Sequence, residues 1–195
     1  MELYLARHGE ADATEPKRYL GATDVPLTTA GMAQACRLAV RLEQTGLTRI
    51  VSSPLLRARA TAQAVAERTG LIVTVEPALR EIDFGRYEGL TYREIEQHFP
   101  DPWQAMRDPG VSFPQGECAN DVARRVAGFA GDLRAYAETE KVLVVAHGGS
   151  LRVLTCGLLG IPLALWWKLA WGNAGLSLLD YHPDNCTLRW HNLGH

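Results

Sequence analysis

This chain predicts an α/β fold of three layers, a mainly parallel sheet with helices on both faces. Two observations carry the prediction. Short apolar runs at residues 3–6, 49–53, 71–75 and 142–146 alternate with stretches of helical period. Two further strand-like runs then follow one another at the C-terminal end with only a turn between them. Alternating strands and helices need parallel pairing with helical crossovers, and a terminal hairpin adds an antiparallel edge.

Taken in chain order, residues 3–6 are apolar and read as a buried strand. In residues 32–44, Met32, Ala35, Leu38, Ala39 and Leu42 share one helical face, and Gly46 supplies a stop. Residues 49–53 form the second strand. Ser53 then reads as an N-cap, with Pro54 at the first position of a helix that closes at Gly70. Residues 71–75 are a short β-branched strand. From Glu76 to about Cys118 the pattern breaks up around Pro77, Pro100, Pro102, Pro109 and Pro114, with one short helix near residues 92–99. That stretch is too long for a plain loop in a compact unit and reads as a cap inserted after the 71–75 strand, approximately residues 82–116. A long helix over about residues 117–138, weakened by Gly128 and Gly131, precedes the strand 142–146 and a helix over 150–159. The runs 176–181 and 187–193 are joined by His182-Pro183-Asp184-Asn185, which has β-turn chemistry. All 195 residues are expected to form one domain.

Bulk composition excludes more than it identifies. The net charge of −2 gives no reason to expect a nucleic-acid or anionic-membrane partner. The apolar stretch 151–165 is interrupted by Arg152, Gly157, Gly160 and Pro162 and is too short to span a bilayer. Cys36, Cys118, Cys156 and Cys186 make no C-x-x-C pair and read as packed thiols. With no basic leader before the first strand, a cytoplasmic protein is expected. Of the 20 basic residues only Lys17, Lys141 and Lys168 are lysines, so fork-shaped donors dominate.

The chemistry concentrates at strand ends. Arg7-His8-Gly9-Glu10 follows the first strand, and His147-Gly148-Gly149-Ser150 follows the strand 142–146. Ligands of open parallel sheets bind beyond the carboxyl ends of the strands. Arg57 lies one turn into the helix opened by Pro54, near the end of the second strand, and Gly148-Gly149 lets backbone N–H groups approach a ligand closely. Two arginines and a histidine could hold a phosphoryl group, whose charge spreads over its equatorial oxygens during transfer. At ~4 Å and an effective dielectric near 20, each unit charge contributes ~4 kcal/mol before desolvation. One imidazole is then left to act as nucleophile. The leaving oxygen needs a proton, and Glu81, at the start of the cap, is the candidate general acid, with Asp83 and Glu88 as neighbouring competitors. His98, His182, His191 and His195 lack such neighbours and read as packed or surface residues. Trp103, Trp166, Trp167 and Trp171 read as packing in the core or cap more readily than as a stacking platform.

At these residues the chain resembles the histidine phosphatase superfamily, in its phosphoglycerate mutase-like branch. Arg7-His8-Gly9-Glu10 is similar to its signature, and residues 21–31 are similar to its second motif. Ser52-Ser53-Pro54-Leu55-Leu56-Arg57-Ala58, Glu81 with Phe84-Gly85, and His147-Gly148 match the rest in order. The resemblance implies that His8 is the phospho-accepting nucleophile and Glu81 the proton donor. Arg7, Arg57, His147 and Gly148 would hold the phosphate, and neither metal nor organic cofactor would be needed. Thr23 is a further candidate phosphate ligand, its hydroxyl either donating to phosphate or shaping the turn. The signature departs from the family at Ala11 and Thr14, where Thr or Ser and Asn are usual, so Thr14 offers a hydroxyl in place of an amide. A short chain without a basic, aromatic cap insertion favours a hydrolase over a mutase. Glu117 after Pro114-Gln115-Gly116, the tryptophans and the closing residues are similar to the alpha-ribazole phosphatases of cobalamin synthesis, with phosphoserine phosphatases close by. The expected partner is a small phosphorylated substrate, and a homodimer stays open.

Three other classes compete. An esterase would need a G-x-S-x-G elbow, and Gly175-Leu176-Ser177 continues with Leu178-Leu179 instead. Two histidines and a glutamate could form a metal site, whose activity a chelator would abolish. A non-catalytic module binding a phosphorylated ligand would have no need to retain His8, Glu81 and both arginines together.

Overall fold

The computed structural model describes residues 1–11 and 16–194. Six strands form a single sheet: β1 (Glu2–Arg7), β2 (Arg49–Ser52), β3 (Val73–Val75), β4 (Lys141–Ala146), β5 (Leu176–His182) and β6 (Asn185–Leu193). Their order is β3-β2-β4-β1-β5-β6. The first four run parallel, while β5 pairs antiparallel with β1 and β6 antiparallel with β5, in agreement with the expected parallel sheet and antiparallel edge.

Both faces of the central strands are buried, which is why β1 and β4 read as continuous apolar runs. Leu3 and Leu5 of β1, with Val142 and Val144 of β4, enter one core, whereas Tyr4, Ala6, Leu143 and Val145 enter the other. The second core is closed by α1 (Thr29–Leu42) and α2 (Leu56–Thr69), the first by α5 (Ala119–Asp132) and α6 (Gly148–Leu159). No helix among the described residues is long and apolar enough to cross a membrane.

Several boundaries differ from expectation for local reasons. Ser53 does not cap α2: the helix begins two residues beyond Pro54, with Leu55 as its N-cap. The Ser53 hydroxyl is drawn instead to His147, 2.6 Å away, and accepts the Leu55 amide at 3.3 Å. At the other end Gly70 adopts the left-handed C-cap expected of it (φ 73°). The α5 helix stops at Asp132 and gives way to one 3-10 turn, because the chain must reverse before Lys141 pairs with Glu2. Strand β3 keeps only three residues. Helix α6 starts at Gly148, directly after His147.

Between β3 and α5 the chain builds 3-10 turns at Pro77–Leu79 and Gly85–Tyr87, then α3 (Tyr92–His98) and α4 (Gln104–Arg107). Thr91 and Glu94 cap the start of α3 reciprocally. Edge-to-face contacts among Tyr19, Phe84, Tyr87, Phe99 and Phe113 join this segment to the chain leaving β1. Trp166 and Trp171 are buried in the same core, and Trp103 stacks on Tyr92.

Candidate active site

Parallel pairing puts Arg7, the last residue of β1, in register with Ala146, the last of β4. The next residue of each strand is a histidine, so the imidazoles of His8 and His147 lie side by side, centroids 5.0 Å apart. Both are buried. His8 Nδ1 lies 2.6 Å from the Gly9 carbonyl oxygen. A carbonyl only accepts, so Nδ1 carries the hydrogen and Nε2 of the neutral ring keeps its lone pair. Burial, reinforced by Arg7 and Arg57, holds the His8 pKa well below the ordinary 6.5, so the ring is neutral at neutral pH.

His147 is shifted the same way by burial, then by His8 and the arginines. Its Nε2 meets Ser53 Oγ at 2.6 Å, which fixes the ring plane. Arg7 is anchored through Nη1 to the Trp171 carbonyl at 2.6 Å. Arg57, in the first turn of α2, donates from Nη1 and Nη2 to the carbonyls of Thr23 (2.7 Å) and Gly21 (2.6 Å). Arg7 Nε, Arg57 Nε and His147 Nδ1 are buried and take no hydrogen-bond partner among the described residues. Buried donors without acceptors are costly unless a ligand supplies them.

Glu81 is buried against the start of α6. Its Oε1 accepts the amides of Ile82 (2.9 Å) and Ser150 (3.0 Å), and its Oε2 accepts that of Gly149 (3.1 Å). The Gly149 and Ser150 amides are groups that a helix start leaves without partners. A Cβ on Gly149 would lie 2.5 Å from Glu81 Oε1, so only glycine admits the carboxylate there. Oε2, with a single donor, is the oxygen left with capacity to carry a proton.

The other acid candidates are committed elsewhere. Glu88 accepts the amides of Ala22 (2.7 Å), Thr23 (2.9 Å) and Phe84 (3.1 Å), and Asp83 accepts that of Gly85 at 2.8 Å. Of the two roles open to Thr23, its hydroxyl here serves the turn. Its hydroxyl donates to the Glu88 carboxylate and its side chain does not line the cavity; the residue serves Arg57 through its carbonyl instead. Thr14 lies outside the described residues.

Arg7, His8, Arg57, Glu81, Gly148 and Gly149 line a common cavity of about 580 Å³, within the ~300–1,000 Å³ usual for small-molecule sites. Its outer wall holds Phe84 of the Glu81 motif and residues that sequence reasoning missed: Tyr19, Tyr92, Arg152 and Asn173. Arg152 had a signal. It stands four residues after Gly148 and so shares its helical face. Tyr19 and Tyr92 had none, since only tertiary folding brings them together. Among the described residues no group of three or more His, Cys, Asp or Glu side chains could hold a metal ion. The arrangement can accept an anion beside an unprotonated imidazole nitrogen, with a carboxyl group nearby to manage a proton.

The family model described as histidine phosphatase superfamily (branch 1) matches residues 3–194. Phosphoserine phosphatase 1 of Hydrogenobacter thermophilus is 34% identical over 181 residues, covering 92% of this chain and 86% of the relative. A protein of Yersinia pestis named as a probable phosphoglycerate mutase is 33% identical, covering 94% and 86% respectively. Among solved structures, mycobacterial glucosyl-3-phosphoglycerate phosphatase superposes with a TM-score of 0.91 at 33% identity over 99% of both chains. The alpha-ribazole phosphatase of Shigella flexneri gives 0.87 at 31% identity, covering 99% of this chain and 96% of the other.

Proposed function

This chain belongs to branch 1 of the histidine phosphatase superfamily, and on that premise we propose that it is a phosphomonoesterase working through a phosphohistidine on His8. His8 Nε2 attacks phosphorus, forming a P–N bond as the ester P–O bond breaks, and the departing oxygen takes a proton from Glu81. Water then attacks the phosphohistidine and gives a proton to Glu81; the P–N bond breaks, returning free His8 and inorganic phosphate. Arg7, Arg57, His147 and the Gly148 amide hold the equatorial oxygens, and residues 82–116 cover the mouth as a cap.

The observation that carries this reading is the tautomer of His8. Its Nδ1–H is tied to the Gly9 carbonyl, which keeps the other nitrogen nucleophilic in a cavity walled by two arginines. Likeness to the Shigella enzyme supports alpha-ribazole 5'-phosphate as substrate. Its base would have to stack on Tyr19, Phe84 or Tyr92, because the tryptophans that suggested stacking do not line the cavity.

Rapid quenching with a ³²P-labelled aryl phosphate tests the mechanism. The expected result is an acid-labile, base-stable label on the protein that His8→Ala cannot form, with the variant's melting temperature retained. Absence of label during turnover overturns the covalent route.

A further inference from the structure

What aims Arg7 at the cavity comes from the far end of the chain. Arg7 Nη1 donates to the Trp171 carbonyl at 2.6 Å, and its Nε is buried without a partner among the described residues. Anchorage at Nη1 leaves the edge formed by Nε and Nη2, and two parallel N–H groups match two oxygens of one phosphate. The direction of that edge depends on where the Trp171 carbonyl points.

That carbonyl shares its peptide unit with the Gly172 amide, which donates to Asn192 Oδ1 at 2.8 Å. A peptide unit is a rigid plane, so Asn192 holds one side of the plate whose other side holds Arg7. Asn192 lies on β6 with φ 51°, a left-handed conformation that Asn tolerates better than most residues. Its own amide donates to Ser177 Oγ at 2.9 Å. A Cβ on Gly175 would fall 2.2 Å from Asn192 Oδ1, so glycine makes room for the contact. His191 secures the residue before Trp171: its Nε2 donates to the Ala170 carbonyl at 2.7 Å, and its Nδ1 accepts from Ser177 Oγ at 3.0 Å. Further along, the Ala174 amide donates to the His8 carbonyl at 3.0 Å, and the Gly175 carbonyl accepts the Arg7 amide at 3.1 Å. Residues 170–175 are thus tied to β6 on one side and to Arg7-His8 on the other. Asn192 itself does not line the cavity.

We propose that Asn192 is a positioning residue for the phosphate grip, acting on Arg7 through the Trp171–Gly172 peptide. The proposal rests on the reading above that Arg7 holds the phosphoryl group. Without the Asn192 oxygen the peptide plane is free to tilt, and Arg7 keeps its charge while losing its aim.

Inorganic phosphate is the probe, its affinity measured by calorimetry without turnover, beside kcat/KM for p-nitrophenyl phosphate. Asn192→Gly keeps the left-handed backbone and removes the acceptor, whereas Asn192→Asp keeps both. The glycine variant is expected to lose about tenfold in each quantity, and the aspartate variant to stay within about threefold. Gly175→Ala, which pushes the amide oxygen aside, is expected to reproduce the loss and serves should Asn192→Gly fold poorly. In an Arg7→Lys background, where the fork is gone, Asn192→Gly is expected to add less than about twofold. Unchanged phosphate affinity in both Asn192→Gly and Gly175→Ala overturns the proposal. So do equal losses in the glycine and aspartate variants, or a full further loss in the Arg7→Lys background. An unaltered protein that binds phosphate without hydrolysing p-nitrophenyl phosphate overturns the phosphatase reading instead, and the role of Asn192 is then judged on affinity alone.

Discussion

The guanidinium of Arg125 grips the carboxylate of Glu117 through two nitrogens, Nε to Oε1 at 3.2 Å and Nη2 to Oε2 at 3.1 Å. With the hydrogens that remain, Arg125 holds the carbonyls of Ala78 (2.5 Å), Arg80 (2.7 Å) and Glu81 (3.2 Å). Glu117 in turn accepts the Asp83 amide at 3.0 Å and pairs with Arg80 at 3.0 Å. The backbone on both sides of Glu81 is thus fastened to the start of α5. Neither Arg125 nor Glu117 lines the cavity, so in the proposed mechanism both would be positioning residues acting through the acid.

Loosening this clasp should misplace Glu81 more than it weakens binding. A shift of ~1 Å can cost up to ~10²-fold in rate. Arg125→Lys and Glu117→Gln are each expected to lower kcat on alkyl phosphates by about tenfold or more, with KM nearly constant and a smaller loss on p-nitrophenyl phosphate. Equal losses on both esters would point to general destabilisation instead, which thermal melts would register.

Glu81→Gln should slow esters of poor leaving groups by ~10²–10⁴-fold relative to p-nitrophenyl phosphate. Gly149→Ala should reproduce that selectivity, because its methyl would stand where Glu81 Oε1 now lies. A plot of log kcat against leaving-group pKa, steeper in both variants than in the unaltered protein, is the measurement. Parallel plots would remove Glu81 from the proton transfer.

Acidity should act on stability before it acts on the carboxylates. His8 and His147 keep pKa values well below 6.5 when folded, and His191 is lowered as well. Once unfolded they titrate near 6.5. Below that value the unfolded chain therefore binds more protons than the folded one, so stability falls as pH drops from 6.5 and the contribution vanishes above it. Urea midpoints taken from neutral pH down to about pH 5 should decline with the uptake of close to two protons or more, and His8→Ala should flatten the slope.

The same depression sets the kinetics. Under the proposed mechanism neutral His8 is the competent form, so its protonation should cut kcat/KM only at a pH well below 6.5. An acid limb centred at 6.5 that moves with no change of substrate would contradict the buried, neutral ring.

How much of the molecule is readable from its residues alone depends on how local each signal is. The strand ends carrying Arg7-His8 and His147-Gly148 are legible because a buried parallel strand announces itself as an apolar run, and the residue after it has only one place to go. Arg57 and Glu81 are legible by position along the chain. Arg152 reads only as an interruption of an apolar stretch, since its meaning depends on what faces α6. Which of its two roles Thr23 takes is not legible, because its partner, Glu88, is 65 residues away. Ser53 and Pro54 have the chemistry of a helix start, yet His147 competes for the serine hydroxyl and the helix yields.

The register of β1 against β4 has a consequence for how this centre can wear or vary. Slipping the pair by one residue would separate the two rings by ~3.3 Å and turn one of them to the opposite face. Their spacing is therefore inherited from the middle of the sheet, and disturbing it means opening hydrogen bonds between two buried interior strands. Retooling toward new substrates is left to the outer wall, where Tyr19, Tyr92 and Arg152 can be exchanged without touching that inheritance.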